Sequence, residues 1–270
     1  MEDKRTNPIV LLTDFGLSDG FVGVLKGVIA GISPDSKVID LSHGVAAQDV
    51  LQASFLLYIH AGYFQKGTIF CVVVDPGVGS ERKAICIRTS DFYFIGPDNG
   101  VLWPAADANG IKEIRELNNP GFFLDSISHT FHGRDIFAPV AARLSSRVSD
   151  ISRLGPVMDA CHTIGFPKPK KEMDYIELAV LYKDRFGNLT LNLRHDPFQQ
   201  AVREGPWQMV LNGHPIEHLH LSYSRAEPGQ LFLIPASSGF MEVSVKNADA
   251  SEYLGAEVGD RATLYLKRGG

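Results

Sequence analysis

Three consecutive valines running into Asp75, Pro76 and Gly77 constrain this chain more than any other feature in it. β-Branched side chains lose freedom in a helix and pack well on a pleated surface, so Val72-Val73-Val74 predicts a strand. Pro76, Gly77 and Gly79 then force a tight exposed turn, and residues 84–87 read as strand again. One short loop thus holds a carboxylate, Asp75, and a guanidinium, Arg82, at the carboxyl end of a strand, the edge where open α/β sheets bind ligands. A surface ion pair on a Pro-Gly turn explains the same residues. A phosphate-cradling loop does not, because the Gly-x-x-x-x-Gly-Lys-Ser/Thr spacing is absent and a strand, not a helix N-terminus, follows.

The flanking pattern extends this unit. Ile9-Val10-Leu11-Leu12-Thr13 is a continuous apolar run, as expected of a parallel strand buried on both faces, and it ends in a polar loop carrying Asp14 and Asp19. Apolar residues at 21, 24, 25, 28, 29 and 32 predict a helix. Gly20, Gly23 and Gly27 do not match a dinucleotide fingerprint and read as points of close helix packing. Further strands are expected at 38–41, 68–74, 92–95 and 111–117, and helices at 48–64, 101–108 and 136–144, with Pro139 in the first turn of the last. This alternation predicts a Rossmann-like, mostly parallel α/β domain over residues 1–154. Residues 155–174, rich in Gly, Pro and Lys, read as a linker. Short strands at 176–182, 189–193, 207–211, 231–234, 241–245 and 262–266 then predict a small all-β, barrel-like domain over 175–270, with a sandwich as the other arrangement.

The 270 residues suffice for two such cores, and 44% hydrophobic with 21% charged residues is the balance of a soluble globular protein. A net charge of −5 argues against nucleic acid and suits a neutral or cationic small ligand. No stretch is long enough to span a membrane, and Met1-Glu2-Asp3-Lys4-Arg5 leads into no signal-peptide core. Cys71 and Cys86 sit in apolar strand patterns, Cys161 lies in the linker, and no Cys-x-x-Cys occurs. Reduced thiols in a cytoplasmic protein are expected.

Three polar loops fall at expected strand ends of the first domain: Asp14 with Asp19, Asp75 with Arg82, and His132 with Arg134 and Asp135. Loops that follow parallel strands converge on one edge, so these can meet; the other reading of His132 is a helix-capping neighbour. In the second domain Asp184-Arg185-Phe186-Gly187-Asn188 reads either as a hairpin turn or as an aromatic face plus an amide suited to a purine. His214, His218 and His220 lie close together, with 218 and 220 on one strand face; no acidic or thiol pattern supports a metal there, and none is expected.

Taken in order, Thr13-Asp14-Phe15-Gly16, Asp75-Pro76-Gly77-Val78-Gly79 with Arg82, Thr130-Phe131-His132-Gly133-Arg134-Asp135-Ile136-Phe137-Ala138-Pro139 and Asp184-Arg185-Phe186-Gly187-Asn188 resemble the adenosine-forming S-adenosylmethionine hydrolases, or SAM hydroxide adenosyltransferases, relatives of fluorinases and chlorinases. The resemblance covers nearly the whole chain. It implies hydrolysis of S-adenosyl-L-methionine to adenosine and L-methionine with no cofactor, by a homotrimer whose sites lie between one subunit's first domain and its neighbour's second. It assigns Asp75, Arg82 and His132 as the catalytic triad, Asp14 to the ribose hydroxyls, and Phe186 and Asn188 to the adenine. It places Asp19, Asp184, Ser237 and Ser238 at the methionine end.

The resemblance also marks departures from the halide-using relatives. They carry an aromatic residue where Asp75 stands, and fluorinases have Ser and Arg where Gly133 and Ser238 stand. A carboxylate beside the nucleophile favours water over halide. The sulfonium makes neutral methionine a good leaving group, so the demand is for a water held in line behind C5′. Forming hydroxide beforehand would require lowering a pKa of about 15.7 by roughly 9 units, about 12 kcal/mol, more than one guanidinium supplies. Proton removal during attack, by His132 or Asp75, is the expected course. A SAM-dependent halogenase and a non-catalytic SAM or adenosine sensor are the alternative functions.

Overall fold

The computed structural model describes residues 6–146, 150–203 and 205–266, and the charged N-terminal stretch discussed above, residues 1–5, lies outside them. The chain divides into two compact units, Met1–Gly165 and Phe166–Gly270.

In the first unit β1 (Ile9–Thr13), β2 (Val38–Ser42), β3 (Ile69–Val73), β4 (Ala84–Thr89), β5 (Tyr93–Pro97) and β6 (Ile111–Glu116) form one sheet in the order β2-β1-β3-β5-β4-β6. Only β4 runs against the others. The helices are α1 (Phe21–Ile32), α2 (Val50–His60), α3 (Trp103–Ala108) and α4 (Ala138–Ser145). β1 and β3 are buried at every position, the reason their sequences show no alternation. Ile9, Leu11, Cys71 and Val73 pack with Leu25 and Ile29 of α1 and Val140 of α4, while Phe70 and Phe94 stack 5.1 Å apart. Each fully buried Leu or Ile contributes at most about 1.5–3 kcal/mol.

The connection β1–α1–β2 runs one way across the sheet and β2–α2–β3 runs back past β1 the other way, so right-handed crossovers put α1 and α2 on opposite faces and open a crevice beyond β1 and β3. β5 lies between β3 and β4 and is antiparallel to β4, so the loop between β3 and β4 leaves and rejoins the sheet at that same edge.

One expectation is corrected here. A methyl group at Gly20, Gly23 or Gly27 would meet nothing within 4 Å, so these glycines serve no close packing among the described residues. Helix α4 is preceded by a π-helical turn, Gly133–Phe137, and Pro139 does fall in its first turn.

The second unit contains β7 (Lys170–Lys171), β8 (Tyr175–Lys183), β9 (Leu189–Arg194), β10 (Trp207–Leu211), β11 (His214–Ile216), β12 (Leu231–Pro235), β13 (Phe240–Val245) and β14 (Arg261–Leu266). They run antiparallel in the order β11-β10-β14-β8-β9-β13-β12, with β7 on β8, and a Leu219–Leu233 bridge brings the ends of that order close to a barrel. Leu178, Val180, Leu191, Met209, Val243 and Leu264 fill the interior. The all-β expectation gains two short helices, α5 (His195–Val202), which buries Phe198, and α6 (Ala250–Leu254), capped by Asp249. His218 and His220 flank the bridge at Leu219 rather than lying on a regular strand; their rings stack 6.2 Å apart, and His214 packs on Tyr253 instead. Among the described residues no group of three or more His, Cys, Asp or Glu side chains is placed to hold a metal ion, and no helix is long and apolar enough to cross a membrane.

Candidate active site

Three loops of the first unit meet beyond the carboxyl ends of β1 and β3. The first follows β1. Thr13 Oγ1 lies 2.8 Å from His43 Nδ1 and accepts from the Phe15 N–H, while the Gly16 N–H donates to the His43 carbonyl. His43 Nε2 is 3.0 Å from Asp40, whose other oxygen accepts from Lys26 at 2.6 Å. Burial works against ionisation of Asp40, but the hydrogen bonds and charges of Lys26 and His43 outweigh it and hold its carboxyl below the usual range. The Gln48 N–H, in a residue at φ 65°, donates to Asp14 Oδ2 at 2.8 Å and fixes that carboxylate. A non-glycine residue in the left-handed region is a local strain, here placed against a site carboxylate.

The second loop carries Asp75 and Arg82. The Arg82 Nε–H donates to Asp75 Oδ1 at 2.9 Å, and Nη2 donates to Asp75 Oδ2 and also to His132 Nδ1 at 2.8 Å. The guanidinium carbon lies 5.4 Å from the Phe137 ring centroid, within cation–π range. The side chains of Arg82 and Asp75 are only 10% and 6% exposed, so the pair is buried and each charge depends on the other. Gly79, at φ 77°, packs so tightly that a Cβ there would lie 2.4 Å from the His129 carbonyl oxygen, which locks this loop to the third.

That third loop is shaped by Asp135, which is fully buried and accepts from the Ser128 N–H and from Nε–H and Nη2–H of Arg134. Arg134 in turn lies over the Phe131 ring. Where the π turn begins, the Arg134 and Asp135 N–H groups both donate to the Phe131 carbonyl, and His132 reaches back to Arg82. Such turns recur at functional sites. His132 makes no helix-capping bond through its side chain. A Cβ on Gly133 would lie 3.0 Å from Val73 Cγ1.

Guanidinium nitrogens only donate, so His132 Nδ1 is an acceptor and the neutral ring carries its proton on Nε2. Burial first, and then the charge of Arg82, push the imidazole below its usual pKa against the weaker pull of Asp75 and Asp135. A pocket of about 280 Å³ is lined by Asp14, Asp75, His132 and Gly133 together with Gln48 and Phe131. Asp19 is exposed in the turn before α1 and does not line it.

A second pocket, of about 570 Å³, lies on the other unit and is lined by Asp184, Phe186, Asn188, Tyr223, Lys246 and Asn247. The Asp184–Asn188 turn closes with Gly187 at φ 83°, where a Cβ would fall 2.0 Å from the Asp249 carboxylate carbon. Only glycine fits there. The turn thereby lies against the start of α6, whose Ser251 N–H donates to the Gly187 carbonyl. Phe186 is 76% exposed and offers an open ring face. The Tyr223 hydroxyl donates to the buried Glu242, as does the Ser244 hydroxyl. Burial pushes Glu242 up from the usual carboxylate range. Ser237 and Ser238 occupy the turn between β12 and β13 and do not line this pocket.

Sequence reasoning missed Gln48, His43, Tyr223 and Glu242. Gln48 acts through its backbone, which carries no residue-type signal, and His43 acts through Thr13 from the loop just after β2. Tyr223 reaches its pocket from a separate loop.

Comparison with known proteins covers both units. Residues 9–155 match the SAM hydroxide adenosyltransferase N-terminal domain and residues 178–263 the C-terminal domain of the same family. The chain is 36% identical over 256 residues to the (R)-S-adenosyl-L-methionine hydrolase of Salinispora tropica, covering 94% of this chain and 95% of that protein. It is 22% identical over 255 residues to a fluorinase of an Actinoplanes species, covering 83% and 85% of the two chains. A crystal structure of an uncharacterized conserved protein from Thermotoga maritima superposes with a TM-score of 0.89 at 37% identity, covering 95% of this chain and 99% of that one.

Proposed function

The chain belongs to the SAM hydroxide adenosyltransferase family, and from that premise we propose that it hydrolyses S-adenosyl-L-methionine to adenosine and L-methionine. The observation that carries the mechanism is the Asp75–Arg82–His132 set beside the first pocket, with Asp14 on the same wall.

Asp14, held by the Gln48 N–H, takes the ribose hydroxyls and fixes C5′ in front of the triad. A water between Asp75 and His132 attacks C5′ in line. The C5′–S bond breaks, its electron pair returns to sulfur as the neutral thioether of methionine, and the water's proton passes to a base. Because His132 Nδ1 is occupied by Arg82 and Nε2 already carries the ring proton, His132 orients the water by donating, and Asp75 is the acceptor. Arg82 uses three N–H bonds to hold both partners and balances the charge that develops. Orientation of this kind lowers a barrier by about 7–11 kcal/mol, whereas a positioned base is worth about 10²–10⁴-fold. Alignment therefore dominates, and no triad member is indispensable to a residual rate.

Gly133 packs closely against Val73 on the pocket wall, where a side chain would crowd it. Phe186 and Asn188 hold the adenine in the second unit's pocket, and Asp19, Asp184, Ser237 and Ser238 serve the methionine end. The enzyme acts in the cytoplasm as a homotrimer, each site combining one subunit's first unit with its neighbour's second. Support for this sharing is that the two units carry complementary chemistry: ribose and nucleophile residues on one, an aromatic ring and an amide on the other.

A halide has no proton to give Asp75, so the acceptor–donor pair at this wall suits water. Incubation with S-adenosyl-L-methionine, with and without chloride, followed by chromatography, tests the reading. Adenosine and L-methionine are expected under both conditions. 5′-Chloro-5′-deoxyadenosine as the main product would make the protein a halogenase, and tight binding without turnover would make it a sensor.

A further inference from the structure

Asp14 sits in a turn that one residue, His43, grips on either side. The Thr13 hydroxyl just before it lies 2.8 Å from His43 Nδ1, and the Gly16 N–H just after it donates to the His43 carbonyl at 2.8 Å. Thr13 is fully buried and His43 is only 5% exposed. Thr13 Oγ1 also accepts from the Phe15 N–H at 3.3 Å, so the hydroxyl links the ring to the turn's own backbone. The ladder between β1 and β2 ends at Leu12 and Ser42, after a shift in register. These contacts therefore lie beyond that strand pairing and act on the turn. We propose that His43 is a positioning residue for the ribose carboxylate: its ring and its carbonyl set the Thr13–Gly16 turn so that Asp14 faces the first pocket. The proposal rests on the reading that Asp14 takes the ribose hydroxyls.

A buried imidazole between a hydroxyl and a carboxylate can also do no more than hold strands together, and two observations separate the roles. First, the hold is directional. Nε2 comes within 3.0 Å of Asp40 Oδ1 but off the line of a well-formed hydrogen bond, so Thr13 is the ring's directed partner. The ionised Asp40 only accepts, which favours a proton on Nε2 and leaves Nδ1 of the neutral ring to accept from the Thr13 O–H. With its one proton committed to the ring, Oγ1 can only accept on its other side, and that is its role toward Phe15. Second, the segment that starts at His43 also carries Gln48, whose N–H donates to Asp14 Oδ2 and which lines the same pocket. One segment thus reaches the turn at Thr13, at Gly16 and at the carboxylate between them. Misplacing a positioning group by about 1 Å costs up to about 10²-fold, so a looser turn is felt at the ribose.

Titration calorimetry with adenosine and 2′,3′-dideoxyadenosine reads this contact, because the two ligands differ only in the ribose hydroxyls. Wild type should bind adenosine about 10–100-fold more tightly, and Asp14→Ala should abolish that difference. Thr13→Val removes the hydroxyl at nearly constant shape, and His43→Ala removes the ring. Each should lower the ratio by about tenfold, while affinity for the dideoxynucleoside stays unchanged. The double variant should lose no more than either single one, since both break the same contact. His43→Asn puts an amide where Nδ1 stands and should keep the wild-type ratio. His43→Gln puts it where Nε2 stands and should behave as His43→Ala. A wild-type ratio in both Thr13→Val and His43→Ala, even with a lowered melting temperature, would overturn the proposal and leave His43 a structural residue. Equal weakening of both ligands would overturn it too. A wild type that binds both ligands alike, with Asp14→Ala no different, would show that the reading of Asp14 itself has failed, and the proposal with it.

Discussion

At the scale of residues, one nitrogen of Arg82 ties two groups of the candidate site together. Nη2 donates both to Asp75 and to His132, which orders a carboxylate and an imidazole around one point and fixes the imidazole's tautomer. Replacing Asp75, Arg82 or His132 by Ala should lower turnover by roughly 10²–10⁴-fold with a much smaller change in substrate affinity. Equal losses of rate and binding, measured by steady-state kinetics and calorimetry, would reassign these groups to substrate binding. Arg82→Ala should also destabilise the fold by about 3–5 kcal/mol, because it strands Asp75 as a buried unpaired charge. The depressed pKa of His132 sets the pH dependence. The ring is neutral in the working enzyme, so activity should hold steady through pH 6.5 and fall only at lower pH, as protonation of Nδ1 breaks its bond to Arg82. Stability follows the same sign: the unfolded chain takes up this proton first, so the contribution is complete above 6.5 and is lost as pH falls through the lower folded value. A kinetic pKa at or above 6.5 would contradict this assignment.

At the scale of elements, the site depends on loops held to one another and not only to the sheet. Gly79→Ala places a Cβ 2.4 Å from the His129 carbonyl oxygen and asks an alanine to hold φ 77°. The backbone strain alone costs about 1–2 kcal/mol, so a lower melting temperature is expected together with reduced turnover, since the loop of Asp75 and that of His132 move together. The glycines of α1 predict the opposite. Gly23 is helical and open, so Gly23→Ala should raise stability by about 0.5–1 kcal/mol in the isolated chain. A melting temperature that falls instead would show that this helix face is covered in the assembly. The strands and helices that carry these loops were legible in the sequence because their signals are local: valine runs, Gly-marked turns and a helical period. The π turn and the reversal of β4 were not; the reversal follows from which strand lies next to which.

At the scale of the whole molecule, sharing of sites is testable by mixing. Asp75→Ala and Asn188→Ala damage different units, so a cyclic trimer containing both variants should rebuild one intact site in three. Random coexpression makes about three-quarters of rings mixed, and about a quarter of wild-type activity should return. Verified mixed rings as inactive as their parents would exclude shared sites. Chelation should leave activity intact, because a sulfonium departs without a Lewis acid. Loss on chelation, reversed by one divalent ion, would show that catalysis needs a metal.

The sequence by itself determined the two kinds of unit, the turn at Asp75-Pro76-Gly77 and the residue types offered for chemistry, because steric preference and hydrophobic periodicity act within a few residues. Only the tertiary structure decided that Arg82 reaches His132 across 50 positions, that the Gln48 backbone holds Asp14, and that Asp184 is occupied by its own turn. Those outcomes depend on hydrogen-bond direction at distances near 3 Å, which strand order and loop packing set and which no local pattern encodes.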